Sequence, residues 1–147
     1  MAEKGECQQC IGRSRGGRTT RIHLVTDAEG RPLVIASSPG QTSDFCLAQR
    51  CLEALPPACE VIADKGYDSN ELRQWLHARG SEPVIPPRKC RKRPPAFDRA
   101  KYRLRNVVER TFCRPKDFRR IATRYDKLAE TFLAAVCIAA TVIWWLN

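Results

Sequence analysis

Hydrophobic periodicity is absent from the first residues of the chain, and residues 1–11 are expected to be disordered. The basic run GRSRGG at residues 12–17 reads as a turn. Residues 19–26 (TTRIHLVT) are rich in β-branched side chains with partial alternation, which predicts a strand. Residues 33–37 (LVIAS) predict a second, and the intervening DAEGRP makes the pair a hairpin. Thr42 or Ser43 can cap a helix running to about residue 55, where Pro56-Pro57 ends it. The short apolar run EVIA at residues 60–63 predicts a buried strand that ends at Asp64. A helix follows over residues 70–79, with Leu72, Trp75 and Leu76 on its apolar side and Gly80 as its stop. Residues 83–85 are of strand type, and residues 88–95 (RKCRKRPP) form a basic loop. A long helix should begin near Asp98 and pass through Glu109, and a last helix covers residues 127–146. A hairpin followed by a βαβ unit is an α/β layered pattern, with no internal repeat.

Length and charge narrow this picture. The 147 residues suffice for one compact domain. The net charge of +10, from 26 Lys and Arg against 16 Asp and Glu, calls for an anionic partner. Nucleic acid is the commonest such anion. Arg carries most of the charge and grips phosphate with two prongs, which favours that partner over plain solubility. The set Arg13, Arg15, Arg18, Arg88, Arg91, Arg93, Arg119 and Arg120 is the candidate phosphate-binding surface.

Eight cysteines raise the question of disulfides or zinc. No apolar leader precedes them, and Cys46, Cys51 and Cys137 sit in apolar segments, so they read as reduced, buried small hydrophobes of a cytoplasmic protein. Cys7 and Cys10 form a lone CxxC, half of what a structural zinc site requires. The apolar residues 132–146 are too few for a membrane span, which needs about 20, and read as a core helix.

Two constellations can carry chemistry. Asp64 closes a short strand and is followed by a Gly turn, in VIADKGYDS. Open α/β sheets place their sites beyond the carboxyl ends of strands, so Asp64 can hold a metal ion there. A turn-capping Asp would have the same sequence. Tyr102, Arg105, Glu109 and Lys116 fall within roughly 60° of arc on a helix at 100° per residue. Glu109 could hold an ion while the other three hold phosphates. A solvated face with ordinary helix salt bridges would look alike.

The segments GRSRGGRTTRIHLVTDAEGRPL, SSPGQTSD, VIADKGYDSNELRQWL, VIPPR and YRLRNVVERTFCRPKDFRRIATRYDKLAETFLAAV resemble the DDE transposases of bacterial insertion sequences, more narrowly the insertion-sequence-five family. The resemblance covers the chain from about Gly12 onward. It implies a partial catalytic domain over residues 12–147, with a ribonuclease H-like mixed sheet flanked by helices. It implies DNA cutting and joining with two magnesium ions held by carboxylates and no protein nucleophile. Asp64 matches the second of three catalytic acids and Glu109 the third, both as metal ligands. Tyr102, Arg105, Glu109 and Lys116 match the family's Tyr-x2-Arg-x3-Glu-x6-Lys signature. The implied partners are DNA, at insertion-sequence ends and target, and an upstream transposase segment or further copies of the chain; no membrane is implied.

The chain departs from the family twice. The first catalytic Asp, with the central strand carrying it, belongs upstream of GRSRGG and is expected to be missing, which would leave the chain alone inactive. Neither Asp27, in the far turn of the hairpin, nor Asp44, a helix-start carboxylate, replaces it well. Pro115 lies within the signature and should kink the helix, displacing Lys116. Beside the enzyme reading stand a non-catalytic DNA-binding fragment and a small zinc-dependent nucleic-acid-binding protein.

Overall fold

The computed structural model describes residues 10–14, 17–42 and 44–146. In chain order the elements are β1 (Gly12–Ser14), β2 (Gly17–Thr26), β3 (Pro32–Pro39), α1 (Asp44–Glu53), β4 (Glu60–Ile62), a 3-10 turn (Lys65–Tyr67) and α2 (Asn70–Ala78). Then come β5 (Glu82–Val84), α3 (Arg99–Tyr102), α4 (Arg105–Cys113), a second 3-10 turn (Arg114–Asp117), α5 (Arg119–Ala122) and α6 (Ala129–Trp145). Of residues 1–11, expected to be disordered, residues 1–9 fall outside the described residues, as does the capping role of Ser43; Cys10 is placed, its carbonyl accepting from Thr20 Oγ1 at 2.7 Å. The chain divides into two compact units, Met1–Thr42 with Val108–Asn147, and Ser43–Val107.

The first unit is built on the expected hairpin. β2 and β3 pair antiparallel from Thr20↔Pro39 to Thr26↔Pro32, with an irregularity at Val25/Thr26. At the tip, Asp27 Oδ1 accepts from the amides of Glu29 (3.0 Å) and Arg31 (2.8 Å), and Gly30 supplies the positive φ of 87° that the turn needs. Asp27 is thus engaged in its own turn. The basic run is more than a turn: Gly12–Ser14 pairs with Gly17–Thr19 as β1, so its flanks are strands. That pairing depends on β2 being in place, which local composition does not reveal. His23 is buried and meets Ser38 Oγ at 2.8 Å. α6 packs against β3 and the Arg114–Asp117 turn, burying Phe132, Val136, Ala139 and Ala140. Its Ile138, Val142 and Trp145 are exposed, so only one face of this apolar helix is core.

The second unit contains the predicted βαβ. β4 and β5 pair in parallel, Glu60↔Glu82 to Ile62↔Val84, joined through α2. Ser69 caps α2 by accepting from the Leu72 amide at 3.0 Å. Leu72, Leu76 and Ile85 form the core, with Ala48, Leu52, Val61, Ala63, Tyr67 and Trp75 packed around them. Full burial of such side chains contributes roughly 1.5–3 kcal/mol each.

The architecture is mixed α/β, as expected for a ribonuclease H-like fold. Among the described residues the strands form two sheets, β1-β2-β3 and β4-β5, instead of one mixed sheet. The single long helix expected from Asp98 is divided. Asp98 caps its start, accepting from the amides of Ala100 (2.8 Å) and Lys101 (3.1 Å). Residues 103 and 104 then form a turn, with i to i+3 bonds from Arg103 to Ala100 and from Leu104 to Lys101. Bonds of that span tighten the winding and reset the angular spacing between Tyr102 and Arg105. The expected disturbance at Pro115 is present: α4 stops at Cys113, and Lys116 sits in the 3-10 turn beyond it.

Candidate active site

β4 delivers Asp64 to the edge of the second unit, just past the carboxyl end of a parallel strand. There it caps the Lys65–Tyr67 turn, Oδ1 accepting from the Gly66 amide at 2.6 Å. Capping and site placement therefore coexist in one residue. The other oxygen, Oδ2, lies 3.8 Å from Arg105 Nη2, with both side chains partly exposed. The Arg105 guanidinium sits 5.9 Å from the Tyr102 ring centroid, and Tyr102 in turn meets Phe97 edge-on at 5.7 Å. Asp64, Arg105 and Tyr102 thus form one chain of contacts within the second unit.

A second carboxylate joins them. Asp44 opens α1, as a helix-start acid should. Its side chain also reaches the Asp64 turn: a Cβ at Gly66 would lie 2.7 Å from Asp44 Oδ2 and 2.8 Å from Asp64 Oδ1. The missing side chain of Gly66 leaves a small cradle between two acids. What glycine leaves there is space for the two carboxylates, not a special backbone conformation.

Behind the turn stands Asp68, whose side chain is fully buried. Its Oδ1 accepts from Arg73 Nε at 3.0 Å, and its Oδ2 from Arg91 Nε at 2.5 Å and the Arg88 amide at 2.9 Å. Burial works against ionisation of this carboxyl, but the bonds from Arg91, the Arg88 amide and Arg73 outweigh it and hold its pKa below the usual carboxylate value. Arg88 reaches back to the turn, donating from Nε to the Lys65 carbonyl (3.2 Å) and from Nη2 to the Gly66 carbonyl (2.7 Å). Arg91 Nη1 also donates to Asn70 Oδ1 at 2.6 Å.

Glu109 and Lys116 belong to the first unit. Glu109 lies on α4 four residues after Arg105, with its side chain exposed. Lys116 Nζ lies 4.9 Å from the Phe112 ring centroid. Among the described residues, no group of three or more His, Cys, Asp or Glu is placed to hold a metal ion. Nor is any helix among them long and apolar enough to cross a membrane.

Several other readings change. Cys7, half of the CxxC, lies outside the described residues. Cys51 is buried as expected and Cys137 half-buried, but Cys59, Cys90 and Cys113 are exposed. Of the candidate phosphate binders, Arg88 and Arg91 are engaged by the turn and Asp68, and Arg120 Nη2 pairs with Asp126 at 2.7 Å. Arg93 and Arg119 are exposed, while Arg15 lies outside the described residues.

The model of the transposase DDE domain matches residues 61–146, which span Asp64, the Tyr102–Lys116 stretch and α6. The chain belongs to the DDE transposase family. It is 36% identical over 130 residues to a protein of Brucella ovis named as a transposase for insertion sequence element IS6501, covering 86% of this chain and 98% of that one. It is 33% identical over 144 residues to one of Burkholderia cepacia named for element IS402, with 90% and 65% covered. Over 126 residues it is 33% identical to the IS1106 transposase of Neisseria meningitidis serogroup B, with 79% and 44% covered. The chain thus spans nearly all of the first relative and about two thirds and under half of the others. No solved structure matches it significantly.

In this DDE transposase chain, sequence reasoning missed the meeting of Asp44 with Asp64 and the hub at Asp68. Gly66, a residue without a side chain two positions after the acid that ends a strand, was the available signal for the first. The acid of GYDS followed by an Arg-rich loop was the signal for the second.

Proposed function

We propose that this chain is the C-terminal portion of an insertion-sequence-five transposase that cuts and joins DNA at element ends by two-metal phosphoryl transfer. Asp64 and Glu109 are its second and third acids, and the first is supplied by upstream sequence. Tyr102, Arg105 and Lys116 contact DNA phosphates. The observation that carries the reading is the position of Asp64: a partly buried carboxylate beyond a parallel strand, braced by a glycine amide, within the family match.

The donor set fits a hard divalent cation, because two carboxylates converge on the space a Cβ at Gly66 would fill. Divalent ions bound there would supply the Lewis acidity that activates an attacking oxygen and stabilises a leaving one. The residues around that space do the positioning. The Gly66 amide fixes one oxygen of Asp64 and so limits its rotation. Arg105, resting against Tyr102, puts a planar cation beside Asp64, where it can pair with a phosphate oxygen. Glu109 is assigned as the further carboxylate by its match to the family signature alone; the attacking group is water or a DNA 3′-hydroxyl, so no side chain need become covalently attached.

The test is magnesium-dependent cleavage of a duplex carrying the element's end. The 147-residue chain alone should leave it uncut. The chain extended upstream should cut it, and Asp64→Ala or Glu109→Ala should abolish that cutting. Cleavage indifferent to both substitutions would sink the assignment and leave a non-catalytic DNA-binding fragment. Cleavage by the 147-residue chain that Asp44→Ala abolishes would make Asp44 the first acid.

A further inference from the structure

Counting positive charges in residues 88–93 gives five candidate phosphate contacts, Arg88, Lys89, Arg91, Lys92 and Arg93. The structure divides them. Arg88 and Arg91 point inward: one holds the Lys65 and Gly66 carbonyls, the other the Asp68 carboxylate and Asn70. Lys89, Lys92 and Arg93 are exposed. A loop of this composition would repel itself and sample many shapes. Here one buried carboxylate gathers it, since Asp68 takes the Arg91 side chain and the Arg88 amide on a single oxygen. Arg73 braces the other oxygen and donates to the Ile85 carbonyl at 2.6 Å, fixing the point where β5 runs into the loop.

We propose that Asp68 is a positioning residue for nucleic acid: by clasping Arg88 and Arg91 it sets the basic loop beside the Asp64 turn and presents Lys89, Lys92 and Arg93 to the DNA backbone. The inference rests on the reading of this chain as a DNA-handling enzyme. It carries a sign that simple electrostatics does not. Removing a negative charge from a DNA-binding protein ordinarily tightens binding. Removing this one releases the loop and weakens it.

The experiment is fluorescence anisotropy of a labelled duplex titrated with the full chain across a range of sodium chloride concentrations. Four variants join the wild type: Asp68→Asn, Arg91→Ala, Lys89→Ala, and the triple Lys89→Ala/Lys92→Ala/Arg93→Ala. Circular dichroism melts verify that each is folded at the assay temperature. The triple variant should lower the slope of log affinity against log salt by about 2–3, near 0.9 for each lost phosphate contact. Asp68→Asn should bind about ten-fold more weakly near 0.1 M salt, with a shallower slope, despite its higher net charge. Should Asp68→Asn fail to fold, the two single variants decide. Arg91→Ala and Lys89→Ala remove one charge each, and Arg91→Ala should cost clearly more slope, because it also frees the loop.

Unchanged binding in the triple variant, with wild type binding normally, overturns the loop as the surface and leaves the enzyme reading standing. Equal or tighter binding by Asp68→Asn, or equal losses in the two single variants, overturns Asp68 as the positioning residue. Absence of DNA binding by the wild type overturns the nucleic-acid reading and this inference with it.

Discussion

Arg105 Nη2 lies 3.8 Å from Asp64 Oδ2, so the first arginine of α4 and the strand-end acid are direct neighbours. An arginine in that position competes with any cation for the carboxylate. Arg105→Ala should therefore tighten manganese binding by a few-fold, a modest gain because solvent screens the partly exposed pair. The same change should weaken DNA binding and, in the chain extended upstream, slow strand cleavage. Manganese titration followed by electron paramagnetic resonance reads the first effect. Weaker ion binding in Arg105→Ala would show that the arginine organises the acid instead of competing for it.

Gly66→Ala separates ion binding from stability. The added methyl meets only the ends of two short side chains, Asp44 Oδ2 at 2.7 Å and Asp64 Oδ1 at 2.8 Å. Both can rotate away, so the melting temperature should move little, by no more than the equivalent of ~1 kcal/mol. The rotation would pull the carboxylates off their shared space, and manganese affinity should fall about ten-fold, roughly 1.4 kcal/mol. A variant with unchanged ion affinity would count against the cradle.

Asp68 should contribute to acid destabilisation of the fold. Its folded pKa lies below that of the unfolded chain, about 3.9. The stability it contributes is fully present above the unfolded value and is lost as pH falls through the folded one. Asp68→Asn should be less stable than wild type at neutral pH and show a flatter decline between pH 5 and 2 (roughly). Asp68→Ala, which strands buried Arg73, should cost on the order of 3–5 kcal/mol. Parallel acid limbs for wild type and Asp68→Asn in denaturant melts would contradict this.

In the first unit, Thr111 Oγ1 donates to the Gly30 carbonyl at 2.8 Å, and Thr111 is buried. Valine there keeps the shape and loses the donor, leaving a carbonyl unsatisfied at about 1–3 kcal/mol. Thr141 makes a bond to the Cys137 carbonyl at 2.9 Å on an exposed helix face, and Thr141→Val should be nearly neutral. Chemical denaturation of the two variants side by side tests the contrast.

Much of this molecule was legible along the chain where local chemistry decides. The β2–β3 turn, the helix beginning at Asn70, the strand leading to Asp64 and the interruption at Pro115 follow from residue types within a few positions of each other. The break at Arg103–Leu104 was not legible, because neither residue is a helix breaker and the pattern runs on through them. β1 was hidden because a three-residue strand exists only by virtue of its partner. Asp44 and Asp64 stand twenty positions apart, and nothing local predicts that they share a space. Charge counting misjudged Arg88 and Arg91 for a related reason. It registers that a cation exists and is blind to which carboxylate or carbonyl it faces.

Arg88 spans two things that are usually treated separately: it belongs to the basic loop, yet it hangs from the carbonyls of the turn that shapes Asp64. On the proposed reading, a DNA strand that stiffened the loop would also stiffen that turn. Thermodynamic reciprocity then applies: whatever factor the strand adds to the affinity for a cation, the cation returns to the affinity for the strand. On the proposed reading, each of the two ligands would help to order the other's site.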